Sequence, residues 1–220
     1  MGLWDKIAAV VFDFDGTLVH QTIDFNRMRT DVTAVLRQYG VDDPVMLQLH
    51  ILEMVGEAVA QLKARGHDPA PLLAAAYAAI ELIECEAAQE AYPIPGVRAL
   101  LSRLQASGMA MGVVTRNSLR SVLTAFADIE TLCDVVLPRE SVCNVKPHPE
   151  HLAACLARLH VSSEQAVMVG DHPLDIEAGC RQGLRTVGVL TGSGTAAALR
   201  QAGADVILNN ATELWALLAL

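Results

Sequence analysis

Six short apolar runs recur along this 220-residue chain with helical stretches between them, and no other feature restricts the possible folds so strongly. The runs cover residues 7–13, 109–115, 134–137, 166–170, 185–189 and 205–208, and most of them read as buried parallel strands. Between them, apolar residues fall at helical spacing, as in Val97, Leu100, Leu101 and Leu104 and again in Leu152, Leu156 and Leu159, with glycine-containing turns at the joins. This alternation predicts an α/β fold with a doubly wound, Rossmann-like parallel sheet. Right-handed crossovers in such a sheet bring the loops that follow the strands to one edge.

One stretch departs from the alternation. Between Leu18 and Pro93 there is no strand-like run, only three successive helical periodicities. The first is Phe25, Met28, Val32, Val35 and Leu36; the second Val45, Leu49, Leu52, Val59 and Leu62; the third Leu72, Ala76, Ala79, Ile80 and Ile83. A helical stretch of this length between two strands exceeds a crossover and predicts an inserted all-helical cap. The tract 91–96, with Pro93, Pro95 and Gly96, has the stiff-then-turning character of a hinge. The expected division is a core of residues 1–19 and 93–220 and a cap of residues 20–92.

The first apolar run leads straight into Asp13-Phe14-Asp15-Gly16-Thr17-Leu18. Alternation along an extended strand directs Asp13 and Asp15 to one side and Phe14 to the other. Two carboxylates sharing a site repel, and a divalent cation relieves that repulsion while keeping a nucleophilic carboxylate ionised. Gly16 lets the backbone approach a ligand closely. An isolated Asp-Gly commonly marks only a turn. Here a second acidic pair, Asp171 and Asp175 in Gly170-Asp171-His172-Pro173-Leu174-Asp175, also directly follows an apolar run. Four carboxylates at one sheet edge, without a His or Cys pattern, form a hard oxygen set suited to Mg²⁺.

Two more segments fall at that edge. Thr115-Arg116-Asn117-Ser118 follows a strand and opens a helix, so its amides and hydroxyls would suit an anion; plain N-capping explains the same residues equally well. Lys146, fixed between Val145 and Pro147 ahead of another helix, is either an ordinary solvated charge or the cation that an acidic site lacks.

Composition narrows the partners. With 16 Lys and Arg against 25 Asp and Glu, the net charge of -9 argues against a broad nucleic-acid-binding face, although a local cationic pocket for a small anion is compatible with it. The five cysteines, at 85, 133, 143, 155 and 180, include no Cys-x-x-Cys pair, which fits a reduced, cytoplasmic compartment. The N-terminal apolar run is too short for a membrane span.

In this order the motifs resemble those of haloacid dehalogenase-like (HAD) hydrolases, in the helical-cap subgroup similar to phosphoglycolate phosphatases. They read Asp13 to Leu18, then Val113-Val114-Thr115-Arg116-Asn117, then Lys146-Pro147, then Gly170 to Asp175. The resemblance implies that Asp13 attacks phosphorus to form an aspartyl-phosphate, and that Asp15 protonates the leaving oxygen and then activates water. It implies Mg²⁺ held by Asp13, the Asp15 carbonyl and Asp171, with Asp175 a ligand or a neighbour of one. Thr115 and Lys146 would hold phosphoryl oxygens, helped by Gly16, Arg116 and Asn117. Asp15 favours phosphate chemistry, because the namesake dehalogenases usually lack an acid there. The segment Val19-His20-Gln21-Thr22 departs from the pattern of many relatives and leaves substrate contacts open.

The expected enzyme is a Mg²⁺-dependent phosphatase of a small phosphorylated metabolite, phosphoglycolate-like by analogy. It would be a monomer or homodimer with neither nucleic acid nor membrane as partner. A sugar phosphomutase and a non-catalytic phosphate-binding module are the rivals. Gly192-Ser193-Gly194-Thr195-Ala196-Ala197 imitates a dinucleotide fingerprint but lies far from the first strand. His148 and His151 read as surface residues of one helix face, and His172 as either a substrate contact or solvent-facing. Specificity is expected from Gln21, Thr22, Arg27 and Arg29, with Arg116 a further candidate.

Overall fold

The computed structural model of the protein describes residue 4 and residues 6–218. Its strands, in chain order, are β1 (Ala9–Phe12), β2 (Val19–His20), β3 (Tyr92–Pro93), β4 (Ala110–Val114), β5 (Val135–Leu137), β6 (Ala166–Gly170), β7 (Arg185–Val189) and β8 (Val206–Leu208). The helices are α1 (Phe25–Gln38), α2 (Ile51–Ala64), α3 (Ala70–Ala88), α4 (Val97–Ala106), α5 (Leu119–Ala125), α6 (Ile129–Leu132), α7 (Pro149–Leu159), α8 (Pro173–Gln182), α9 (Ala196–Gln201) and α10 (Leu214–Leu217).

The chain divides into two compact units, residues 1–21 with 88–220 and residues 22–87. In the larger unit, six strands form one parallel sheet in the order β5-β4-β1-β6-β7-β8. All six apolar runs of the sequence lie in it. β1 is central, and its side chains alternate between two cores, Val10 and Phe12 on one face and Ala9 and Val11 on the other. Helices on both faces give the doubly wound fold. Leu101 and Leu104 of α4 are fully enclosed in the first core, and Leu152 and Cys155 of α7 in the second. Each fully buried leucine contributes about 1.5–3 kcal/mol.

A second sheet has no counterpart in the apolar pattern. β2 and β3 pair antiparallel, Val19 with Pro93 and His20 with Tyr92, so the stretch that reads as strand-free carries a strand at each margin. Two-residue strands have too few positions for a period to show.

The smaller unit is all helical. Met28, Val32 and Leu36 of α1, Met54, Val55, Ala58 and Leu62 of α2, and Leu72, Ala76, Ile80 and Ile83 of α3 share one core. The second periodicity starts before its helix does: Val45 is 78% exposed and Leu49 41%. The Val45 N–H is drawn to the Asp43 side chain (2.9 Å), a 3-10 turn covers Met46–Gln48, and α2 begins only at Ile51. Phe25, an inward position by spacing, is exposed at the start of α1.

Candidate active site

β1 and β6 run side by side, and one further ladder bond, from the Asp13 N–H to the Val169 carbonyl (2.8 Å), keeps them in register at the sheet edge. Asp13 therefore leaves β1 close to where Asp171 leaves β6. Phe14 turns into the core while its carbonyl accepts from the N–H groups of Thr17, Leu18 and Val19, a tight reversal just past Asp13. Gly16 closes that reversal at φ 72°, donating its N–H to the Val19 carbonyl (2.8 Å). A Cβ at Gly16 would lie 2.7 Å from the Gly192 Cα and 2.8 Å from the Asp171 carboxyl carbon. The space that Gly16 leaves is thus filled by another loop and by Asp171.

Lys146 lies at the centre of the cluster and is buried. Its ammonium donates to Asp13 Oδ1, to the Val114 carbonyl (2.9 Å) and to Asp175 Oδ1 (2.9 Å). Asp13, Asp171 and Asp175 each offer a carboxylate oxygen within 4.8 Å of the others. Asp175, in the first turn of α8, also accepts the His172 N–H on Oδ2 (3.0 Å), so it caps a helix and holds the lysine at once. Asp171 Oδ2 accepts the Ser193 N–H (2.8 Å).

The electrostatics follow from this crowding. Burial first, and then Asp175, push the Asp13 carboxyl well above its ordinary range, with Lys146 opposing. Asp171 is raised by the same two causes, against the Ser193 N–H and Lys146. For Lys146, burial disfavours the charge, yet Asp13 and Asp175 outweigh it and its pKa rises. Both partners of the Lys146–Asp13 pair move up because one ammonium faces several carboxylates: the lysine stays charged and the acids carry the surplus. With all three buried carboxylates ionised, one ammonium would leave two negative charges unbalanced. That deficit and the all-oxygen donor set fit a divalent cation.

Asp15 is partly exposed, and its Oδ2 accepts from the Asn117 side-chain amide (2.7 Å). Thr115 is buried; its N–H goes to the Leu137 carbonyl (3.1 Å) and its Oγ accepts the Asn117 N–H (3.1 Å). Ser118 caps α5 by accepting the Ser121 N–H. Of the segment Thr115 to Ser118, capping therefore falls to Ser118 and the orientation of Asp15 to Asn117. Arg116 donates to the Lys146 carbonyl (3.1 Å). In the helical unit, Arg27 pairs with Glu86 (2.5 Å), and Arg29 donates to the Leu47 carbonyl (2.6 Å).

Several residues of the site are not evident from sequence. His151 is a correction: it is fully buried, not a surface residue, with Nδ1 accepting the Lys146 N–H (3.3 Å) and Nε2 on the Leu137 carbonyl (3.0 Å). The apparent dinucleotide fingerprint instead encloses Asp171. A Cβ on Gly192 or Gly194 would collide with that residue, and Thr191 reaches the Gly16 carbonyl (2.5 Å). The available signal was the glycine pair itself, since glycines two apart after a strand mark a place where another backbone or side chain comes near. Thr17 bridges Asp13 (3.4 Å) and Asp171 (3.5 Å) from within the first motif.

A family model described as haloacid dehalogenase-like hydrolase matches residues 10–189. The chain is 32% identical to validoxylamine A 7'-phosphate phosphatase of Streptomyces hygroscopicus subsp. limoneus, over 93% of this chain and 94% of that one. It is 27% identical to phosphoglycolate phosphatase of Escherichia coli K12, over 100% of this chain and 96% of that one. In fold it is similar to a haloacid dehalogenase-like hydrolase from Bacteroides fragilis, with a TM-score of 0.68 and 21% identity, covering 95% of this chain and 100% of that one.

Proposed function

Since the chain belongs to the haloacid dehalogenase-like hydrolase family, we propose that it is a Mg²⁺-dependent phosphatase of a small phosphorylated metabolite, working through an aspartyl-phosphate on Asp13. The observation that carries the reading is the buried cluster of Asp13, Asp171 and Asp175 around the single ammonium of Lys146. Asp13, Asp171 and the Asp15 carbonyl would hold the cation, with Asp175 beside them. When bound, Mg²⁺ neutralises the carboxylates and draws charge from a phosphoryl oxygen.

The chain's own residues perform the proton and phosphoryl transfers. An Asp13 oxygen bonds to phosphorus as the bond to the leaving oxygen breaks, and Asp15 gives its proton to that oxygen. Water then bonds to phosphorus and yields a proton to Asp15 as the Asp13–phosphorus bond breaks. Inorganic phosphate leaves, and both acids return to their starting states. Asn117 holds the Asp15 carboxyl by one oxygen. Lys146 opposes the upward push on the Asp13 carboxyl and offers positive charge to the phosphoryl group. Thr115 contributes its hydroxyl to a phosphoryl oxygen.

The helical unit, residues 22–87, is assigned the role of the family's cap, the part that distinguishes leaving groups. The two relatives named above carry the names of different phosphate esters, so phosphoglycolate and validoxylamine A 7'-phosphate both belong in the test. A panel of such esters, assayed for phosphate release with and without Mg²⁺, is expected to show metal-dependent turnover that Asp13→Asn abolishes while the circular dichroism stays native. Isomerisation with little phosphate release would identify a mutase. Turnover by Asp13→Asn at the wild-type rate would remove Asp13 as nucleophile.

A further inference from the structure

Lys146 lies in a segment without ladder partners, between the 3-10 turn Arg139–Ser141 and α7, yet its side chain must reach three oxygens inside the sheet edge. A lysine stem has four rotatable carbons, so the ammonium is placed only as well as the peptide it grows from. That peptide is held at both ends. Its N–H donates to His151 Nδ1 (3.3 Å), and its carbonyl accepts from the Arg116 guanidinium (3.1 Å). We propose that His151 and Arg116 are positioning residues for the phosphatase reaction, clamping the Lys146 peptide so that its ammonium meets Asp13 and Asp175; the catalytic part of this inference rests on the function proposed above.

Each half of the clamp is anchored near the same strand end. His151 Nε2 binds the Leu137 carbonyl (3.0 Å), the oxygen that also receives the Thr115 N–H (3.1 Å). The imidazole thus links the lysine segment to the end of β5 and to the motif that supplies Thr115. Arg116 is steadied by buried Arg139, whose guanidinium donates to the Arg116 carbonyl (3.0 Å). The partners fix the tautomer: Nε2–H donates to Leu137, and the bare Nδ1 accepts from Lys146. Burial and the Lys146 charge hold His151 neutral, its pKa lowered to about 4, so this tautomer persists at neutral pH. A protonated ring would face the Lys146 N–H with a second donor.

Three substitutions separate positioning from packing. The Asn amide oxygen in His151→Asn stands where Nδ1 stood and can accept the Lys146 N–H; the Gln amide in His151→Gln reaches instead for Leu137; His151→Leu does neither. Leu156→Ala, a buried cavity on the same helix, is the control for stability alone. At saturating Mg²⁺, His151→Leu is expected to lose about 10- to 100-fold in kcat with KM changed far less, as for supporting residues of other catalytic sites. His151→Asn recovers most of that loss, whereas His151→Gln stays slow and Leu156→Ala keeps its kcat. Hydrogen exchange of the Lys146 amide, read by NMR, reports the clamp without turnover: protected in wild type and His151→Asn, fast in His151→Leu. Equal kcat in His151→Leu and wild type, equal loss in Leu156→Ala, or an equally protected Lys146 amide in His151→Leu would each overturn the inference. Absence of turnover in wild-type protein would count against the phosphatase reading alone, and the exchange measurement would still decide the clamp.

Discussion

His151 and Lys146 show what burial does to single residues in this molecule. A histidine deprived of water and set against an ammonium is held to about 4, where the unfolded chain titrates near 6.5. The sign of the consequence is fixed: between those values the unfolded chain takes up a proton that the fold refuses, so stability falls as pH drops through about 6.5 and stops falling below about 4. His151→Asn lacks this loss. Urea unfolding at pH 7.5 and pH 5 should therefore show wild type losing about 2 kcal/mol more than the variant, since each tenfold difference in proton affinity between the folded and unfolded chain is worth about 1.36 kcal/mol. An equal loss in both proteins would contradict the buried, neutral imidazole. At this scale the sequence was informative for the acids and for Lys146, and poor for the residues that hold the Lys146 backbone. Asp13, Asp15, Asp171 and Asp175 announced themselves because carboxylates directly after apolar runs have few other reasons to be there. His151 did not, because a histidine five residues past a lysine reads the same whether its ring faces solvent or a carbonyl.

Elements bring those residues together, and the loop after β7 does more of this than its composition advertised. Thr191 fastens it to the Gly16 carbonyl, the Ser193 N–H takes one oxygen of Asp171, and Gly192 and Gly194 leave the space in which that carboxylate sits. Gly192→Ala is expected to displace Asp171 and raise the Mg²⁺ concentration for half-maximal activity by about 10- to 100-fold, in a protein that still folds. An unchanged Mg²⁺ dependence would show that the loop does not shape the site. The sheet strands were legible because parallel strands buried on both faces are written as unbroken apolar runs, and β6 and β7 match their runs end to end. The β2–β3 ribbon was not, being too short to carry a period, and the start of α2 was missed because Val45 and Leu49 satisfy helical spacing while the 3-10 turn Met46–Gln48 between them holds them outside the helix.

At the scale of the whole molecule, folding gathers carboxylates that lie about 160 residues apart in the chain into one buried, under-neutralised cluster. Such a cluster weakens the fold until a cation relieves it, so Mg²⁺ at about 100 times its dissociation constant should stabilise the protein by about 2.7 kcal/mol, a rise in melting temperature of roughly 5–10 °C. Asp171→Asn should lose most of that rise; an equal rise in both would place the cation elsewhere. Among the described residues no helix is long and apolar enough to cross a membrane. In the proposed reaction this gathering makes Asp13 a nucleophile toward phosphorus. Its most direct test is an acid quench of the enzyme during turnover of a radiolabelled phosphate ester, followed by peptide mapping. Label is expected as an acyl phosphate on the peptide carrying Asp13 and absent from Asp13→Asn; label on another residue, or turnover without any trapped label, would remove Asp13 as the nucleophile.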